Sequence, residues 1–192
     1  GRYLGFEEED NYLRELRAAE LEGRDELARV SARTRAQEIG IMRECDVTLV
    51  VSPVEKEILA RDAPGVSVDV LSNVHEIFGC RTPFGERRDL LFVGGFQHPP
   101  NSDAVLWFVR DILPRVHAAI PGLRLHVIGS KVTEAIRALA SEQVIVHGFV
   151  DDIAPAVDAA RISIAPLRYG AGVTGKVNMA MSYGLPVVAT PM

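Results

Sequence analysis

The chain has 192 residues, of which 47% are hydrophobic and 24% charged; that is enough apolar surface for a buried core and too ordinary a charge content for disorder. Twenty-one Lys and Arg stand against 26 Asp and Glu, a formal net charge of -5, which argues against a nucleic-acid role because phosphate neutralisation needs clustered base. The longest apolar runs, such as residues 47–51, fall far short of a membrane span.

Residues 7–46 are rich in charge and helix formers, with Leu13, Leu16, Leu27, Val30, Ile39 and Met42 at roughly helical spacing. Gly23 divides them into two helices. Asp46 to Ser52 is a short β-rich run. Ser52 then reads as an N-cap, Pro53 as the first helical residue and Glu55 as the acid of a capping box. That helix runs to about Ala60, before Pro64 and Gly65, and Val66 to Leu71 is a further strand. Residues 79–88 are polar and without period, which makes them the expected linker. Beyond them strands and helices alternate. Strands are expected at Asp89 to Gly94, Leu123 to Gly129, Val144 to His147, Ile162 to Ala165 and Pro186 to Ala189. Helices are expected at Ser102 to Ile120, opened by Asn101 and kinked by Pro114, and at Thr133 to Ala140, Asp152 to Ala159 and Thr174 to Ser182. Such alternation implies βαβ units, and hence an α/β, Rossmann-like parallel sheet with helices on both faces.

Cys45 and Cys80, the two cysteines, lie far apart in sequence and form no CxxC pair, so reduced thiols are the expectation. The chain begins at Gly1 and ends at Met192 just after a strand-like run, so a piece of a longer chain is expected.

In an open parallel sheet, ligands bind beyond the C-terminal ends of the strands. The first loop of interest is Val93 to Asn101. Gly94 and Gly95 let backbone approach a ligand, His98 is a candidate contact, and a helix with free N–H groups follows. There is no GxGxxG, and the next strand ends in Gly129-Ser130 without a ribose-binding acid, which weighs against NAD. The second loop runs from Pro166 to Lys176. Its glycines expose backbone amides, Thr174 can cap the next helix, and Lys176 sits in that helix's first turn. A cation there opposes the macrodipole, and a bound diphosphate would compensate it. Gly172 to Lys176 is like a phosphate loop, but GxxxxGK[ST] fails at Val177. His75-Glu76 does not extend to HExxH, and no GxSxG occurs. His117 and His126 read as packing or surface residues, and at His147 a backbone role is favoured over ring chemistry. Asp151 and Asp152 read as helix caps lacking a third ligand, so no metal is expected.

The stretch Leu91 to Phe108 (LFVGGFQHPPNSDAVLWF) resembles the opening of the C-terminal domain of retaining GT-B glycosyltransferases, the glycosyl transferases group 1 family. So do Val146 to Val150 (VHGFV), Ile164 to Gly172 (IAPLRYGAG) and Ala180 to Thr190 (AMSYGLPVVAT), in the family's order and spacing. Residues 40–78 resemble the end of the family's N-terminal domain. The resemblance implies residues 1–78 as the C-terminal part of the acceptor-side domain, a linker at 79–88, and a truncated donor domain at 89–192. It implies a nucleoside-diphosphate sugar as substrate, no cofactor, and a glycan or lipid-linked acceptor. A cytoplasmic location, peripheral to the inner face of the membrane, and bacterial surface-polysaccharide synthesis go with it. By position, Gly94 and Gly95 would lie near the donor phosphates. Gly148, Phe149 and Val150 would lie near the nucleobase. Gly172, Val173 and Thr174 would offer amides to the diphosphate, and Lys176 with Arg168 would supply the catalytic charge.

The family commonly carries two Glu residues eight positions apart around the last loop. Here those positions are Ala171 and Met179. The departure leaves two readings, a glycosyltransferase with an unusual donor site and a non-catalytic GT-B module that only binds.

Overall fold

The computed structural model describes residues 4–6, 11–170 and 175–191. Its contacts divide the chain into two units, one of Gly1–Val74 with Tyr169–Thr174, the other of His75–Arg168 with Gly175–Met192.

The first unit holds a three-stranded parallel sheet in the order β1-β2-β3. Its elements are β1 (Leu4–Phe6), α1 (Asn11–Glu22), α2 (Asp25–Glu44), β2 (Val47–Val50), α3 (Pro53–Asp62) and β3 (Val68–Val70). Gly23 separates α1 from α2 with φ 64°, a left-handed turn that favours glycine. The capping box of α3 is present: Glu55 N donates to Ser52 Oγ at 3.2 Å, and Ser52 N donates to Glu55 Oε2 at 2.9 Å. Met42, Val50 and Leu59 form the core beneath these elements. Strand β1 was not expected from sequence, since three residues are too few for a period to register.

The second unit is a five-stranded parallel sheet in the order β6-β5-β4-β7-β8. It runs β4 (Arg88–Val93), α4 (Pro99–Trp107), a π-helical turn (Phe108–Ile112), α5 (Leu113–Ala119), β5 (Leu125–Ile128), α6 (Glu134–Arg137), β6 (Val144–Gly148), α7 (Ala154–Ala159), β7 (Ala160–Ala165), α8 (Gly175–Ser182) and β8 (Val187–Ala189). Alternate residues of β4 feed opposite faces. Leu90 and Phe92 join Val105, Phe108 and Ile136 on one face, while Leu91 joins Val157, Ala180 and Leu185 on the other. Burial on both faces is why the strands read as continuous apolar runs.

Several bounds differ from the sequence reading: the helix expected at Thr133 to Ala140 is only Glu134–Arg137, and β7 begins at Ala160 rather than Ile162. The helix after β4 begins at Pro99, not Ser102. Pro99 and Pro100 occupy the first turn, where a missing N–H costs nothing, so Asn101 lies inside the helix rather than opening it. The expected kink at Pro114 is a π turn over the five residues before α5, with Leu113 N donating to Phe108 O. Pro114 has no N–H for an ordinary helical bond to residue 110, and the wider turn accommodates that gap.

Residues 79–87 carry no regular structure but are tied to the second unit. Arg87 donates to Thr82 O and Gly184 O, and the Cys80 thiol donates to Asp158. Desolvation and the bond to Asp158 push the Cys80 thiol up, away from the reactive thiolate. No helix among the described residues is long and apolar enough to cross a membrane.

Candidate functional site

The order in which strands are added reverses at β4. The connections from β4 move through β5 to β6, whereas β7 returns to the other side of β4 and leads on to β8. That reversal opens a crevice at the C-terminal ends of β4 and β7. The loops after those two strands are the ones that carry the glycines, His98, Arg168 and Lys176.

The strand ends are stitched together by backbone. Gly94 N donates to Ile128 O at 3.0 Å, Phe96 N to Ser130 O at 2.9 Å and Gly129 N to Gly148 O at 2.8 Å. A Cβ at Gly129 would come within 1.9 Å of Gly94 O, so no larger residue fits while the loop keeps this path. Gly148 ends β6 with φ 77°. Phe149 follows it with 70% of its surface exposed, while Val150 packs against the apolar cluster below.

Asn101, in the first turn of α4 beyond the end of β4, is 7% exposed. Its Nδ2 donates to Gly95 O at 2.7 Å, and its Oδ1 accepts from Lys176 Nζ at 2.9 Å. The Lys176 ammonium also lies 5.7 Å from the centre of the Phe92 ring, within cation–π range. Arg168 Nε donates to Asp103 Oδ2 at 2.9 Å and its Nη2 to Asp103 Oδ1, a two-pronged pair beside the Trp107 ring. His98 occupies the N-cap position of α4 with an exposed ring and no capping bond from its side chain. So Gly94, Gly95, His98, Arg168 and Lys176 share one end of the sheet with Gly148, Phe149 and Val150. Gly172, Val173 and Thr174 lie outside the described residues, as does Ala171. Met179 packs among apolar side chains around Ala180 and Leu185.

The sequence reading missed Asn101 and Asp103 as the partners of the two cations. Their only local signal was the Pro-Pro-Asn run, which shows a helix start but no partner 75 residues away. It also missed a cavity of about 600 Å³ lined by Arg88, Asp89, Arg124, His126, His147 and Pro155. There His126 Nδ1 and His147 Nε2 are 2.9 Å apart, and His126 Nε2 lies 3.3 Å from Asp89. Partial desolvation, with His126 close by, lowers the His147 pKa. His126 and His147 therefore have ring partners, where the sequence suggested packing and a backbone role. Among the described residues no group of His, Cys, Asp and Glu could hold a metal ion.

The second unit is thus a doubly wound α/β unit with glycine-lined strand ends and a lysine in the first turn of α8. Residues 87–192 match the glycosyl transferases group 1 family, and the chain belongs to it. Curated protein sequences give no match. Among solved structures it is similar to sucrose-phosphate synthase from Thermosynechococcus elongatus, with 20% identity over 98% of this chain and 50% of that one, at a TM-score of 0.75. It is similar to HepE from Anabaena, in complex with UDP and glucose, with 15% identity over 98% of this chain and 52% of that one, at 0.61. A TarM variant from S. aureus, in complex with fondaparinux, α-GlcNAc-glycerol and UDP, matches 82% of this chain and 32% of its own at 13% identity and 0.69. The chain thus spans about half of these proteins' length or less, and at these identities the likeness shows the shared GT-B-type fold.

Proposed function

We propose that the protein is a retaining GT-B glycosyltransferase that takes a nucleoside-diphosphate sugar in the crevice between β4 and β7 and passes the sugar to a glycan or lipid-linked acceptor. The observation that carries this reading is the Lys176 ammonium, held in the first turn of α8 beside the paired glycines that end β4. As the bond from sugar to diphosphate breaks, negative charge grows on the departing oxygen. A cation fixed there before the reaction stabilises that charge more than it stabilises the bound substrate, which is what accelerates transfer.

On this reading the other residues serve the same donor. Gly94 and Gly95 admit the phosphates, with His98 at the rim. Gly148, Phe149 and Val150 meet the nucleobase, and the exposed Phe149 ring offers a stacking face. Gly172, Val173 and Thr174 give backbone amides. Arg168 is paired with Asp103 and would reach the ligand by leaving it; the main catalytic charge is assigned to Lys176. The UDP in complex with HepE and with TarM supports a donor of this class. On this reading the protein works on the cytoplasmic side, at the inner face of the membrane, in making bacterial surface polysaccharide.

A second reading, a module that binds without transfer, is favoured by Met179, an apolar side chain packed where relatives commonly have a carboxylate. One panel addresses binding: thermal unfolding with UDP, GDP, ADP, dTDP and CMP. A ligand that binds only the folded state must raise the midpoint. A rise with one diphosphate is expected, and it names the base; no rise with any contradicts the donor site. Sugar release from the matching donor then separates transferase from binding module.

A further inference from the structure

We infer that Asn101 is a positioning residue for the diphosphate site, aiming the Lys176 ammonium over the Gly94–Gly95 loop. This rests on the donor-site reading above and adds to it how the charge is fixed.

Asn101 is buried, and both ends of its carboxamide are used. Its nitrogen faces Gly95 O at 2.7 Å and its oxygen faces the Lys176 ammonium at 2.9 Å. The partners dictate which end is which, because a carbonyl can only accept and an ammonium can only donate. The side chain also lies flat against Gly94, where a Cβ would come within 2.9 Å of its Cγ and Nδ2. Thus one amide joins three segments: the loop after β4, the first turn of α4 and the first turn of α8.

Neither close relative of Asn does the same. A carboxylate lacks the donor for Gly95 O and would cancel the charge of Lys176. A leucine has the shape without the polar atoms. The choice of a neutral acceptor stands out against its neighbour two residues along the same helix. Asp103 places a full negative charge on Arg168, whereas Asn101 holds Lys176 with an uncharged oxygen. The N-terminal part of α4 therefore meets the two cations with different groups, Arg168 with a carboxylate and Lys176 with an amide oxygen. Lysine is a flexible side chain with large rotamer entropy, and restraining it before the ligand arrives lowers what binding must spend on order.

The test is a double-mutant cycle on UDP and uridine affinity, or on the diphosphate and nucleoside of whichever base the panel selects. Lys176→Ala should weaken UDP about tenfold or more and leave uridine unchanged. Asn101→Leu should reproduce most of the UDP loss, again without touching uridine. The double variant should bind UDP no worse than Lys176→Ala alone, because both changes remove one device. Wild-type UDP affinity in Asn101→Leu, or losses that add in the double variant, would overturn the positioning role while leaving the donor site standing. Wild-type UDP affinity in Lys176→Ala would instead sink the donor-site reading and this inference with it. If Asn101→Leu fails to bind uridine, Asn101→Asp serves: it should keep uridine and lose UDP, and unchanged UDP binding would count against the role.

Discussion

Asp89 takes a left-handed backbone conformation, φ 65°, at the start of β4. Aspartate tolerates this conformation better than most residues. Its carboxylate accepts from Arg124 N at 2.9 Å, from Arg124 Nη2 at 2.8 Å and from His126 Nε2 at 3.3 Å. Desolvation pushes this acid up, but the bonds from Arg124 and His126 outweigh it and hold the carboxyl below its ordinary value. A depressed acid stabilises the fold above its unfolded value of about 3.9 and loses that contribution as pH falls through the folded one. Asp89→Asn keeps the shape and the tolerance for positive φ. It should cost about 1–3 kcal/mol at pH 7 by urea unfolding, from the loss of charge-assisted bonds. The gap to wild type should narrow below about pH 4; a gap independent of pH would show that the charge is not the source. At the crevice, Lys176→Ala should lower turnover about 10²-fold or more, by analogy with losing a preorganised charge stabiliser, and unchanged kinetics would remove Lys176 from the mechanism. The place of Lys176 in a helix's first turn was legible in sequence, because the strand, the glycine-rich loop and the helix follow one another locally. Asn101 was not, since its partner is reached only through the packing of α4 beside α8. The same holds for His126 and His147, which meet across β5 and β6.

At the scale of elements, local rules carried furthest. The capping box of α3 was legible because all its parts lie within four residues. Ser52→Ala should cost about 1 kcal/mol. Glu55→Ala should cost more, because Glu55 Oε2 accepts from both Val51 N and Ser52 N, and thermal denaturation of the two variants would show the order. The start of α4 was misplaced because Pro99 and Pro100 read as a loop, although prolines suit a helix's first turn. The π turn before α5 has no sequence period of its own and was seen only as a proline kink. Gly129 was read as a strand end, but its small size is set by the Gly94 carbonyl across the strand ends. Gly129→Ala should destabilise by at least about 1–3 kcal/mol in thermal unfolding, because backbone must move to admit the methyl group. It should also weaken UDP, since the loop that shifts is the one proposed to admit phosphate. A variant of wild-type stability would mean the strand ends are looser than their contacts imply.

For the whole molecule, the alternation of strands and helices was enough to give a parallel, doubly wound sheet, because each strand announces burial on both faces. Strand order was not legible. That β7 returns beside β4 is a long-range choice, and it is this choice that brings the Gly94–Gly95 loop near Arg168 and the first turn of α8 with Lys176. The resemblance to the group 1 family was legible by motif, and the family match over residues 87–192 agrees with the family. Function then depends on which end of the sheet is used. The cavity around Asp89, His126 and His147 offers an alternative place for a ligand, and its cations are engaged with Asp89 or backbone carbonyls. The most direct test is hydrogen exchange of the protein with and without UDP, or the diphosphate selected by the panel. The account predicts protection gained in residues 94–101 and in the first turn of α8, with the cavity around residues 82–89 and 124–126 unchanged. Protection confined to that cavity, or none anywhere in the second unit, would contradict it.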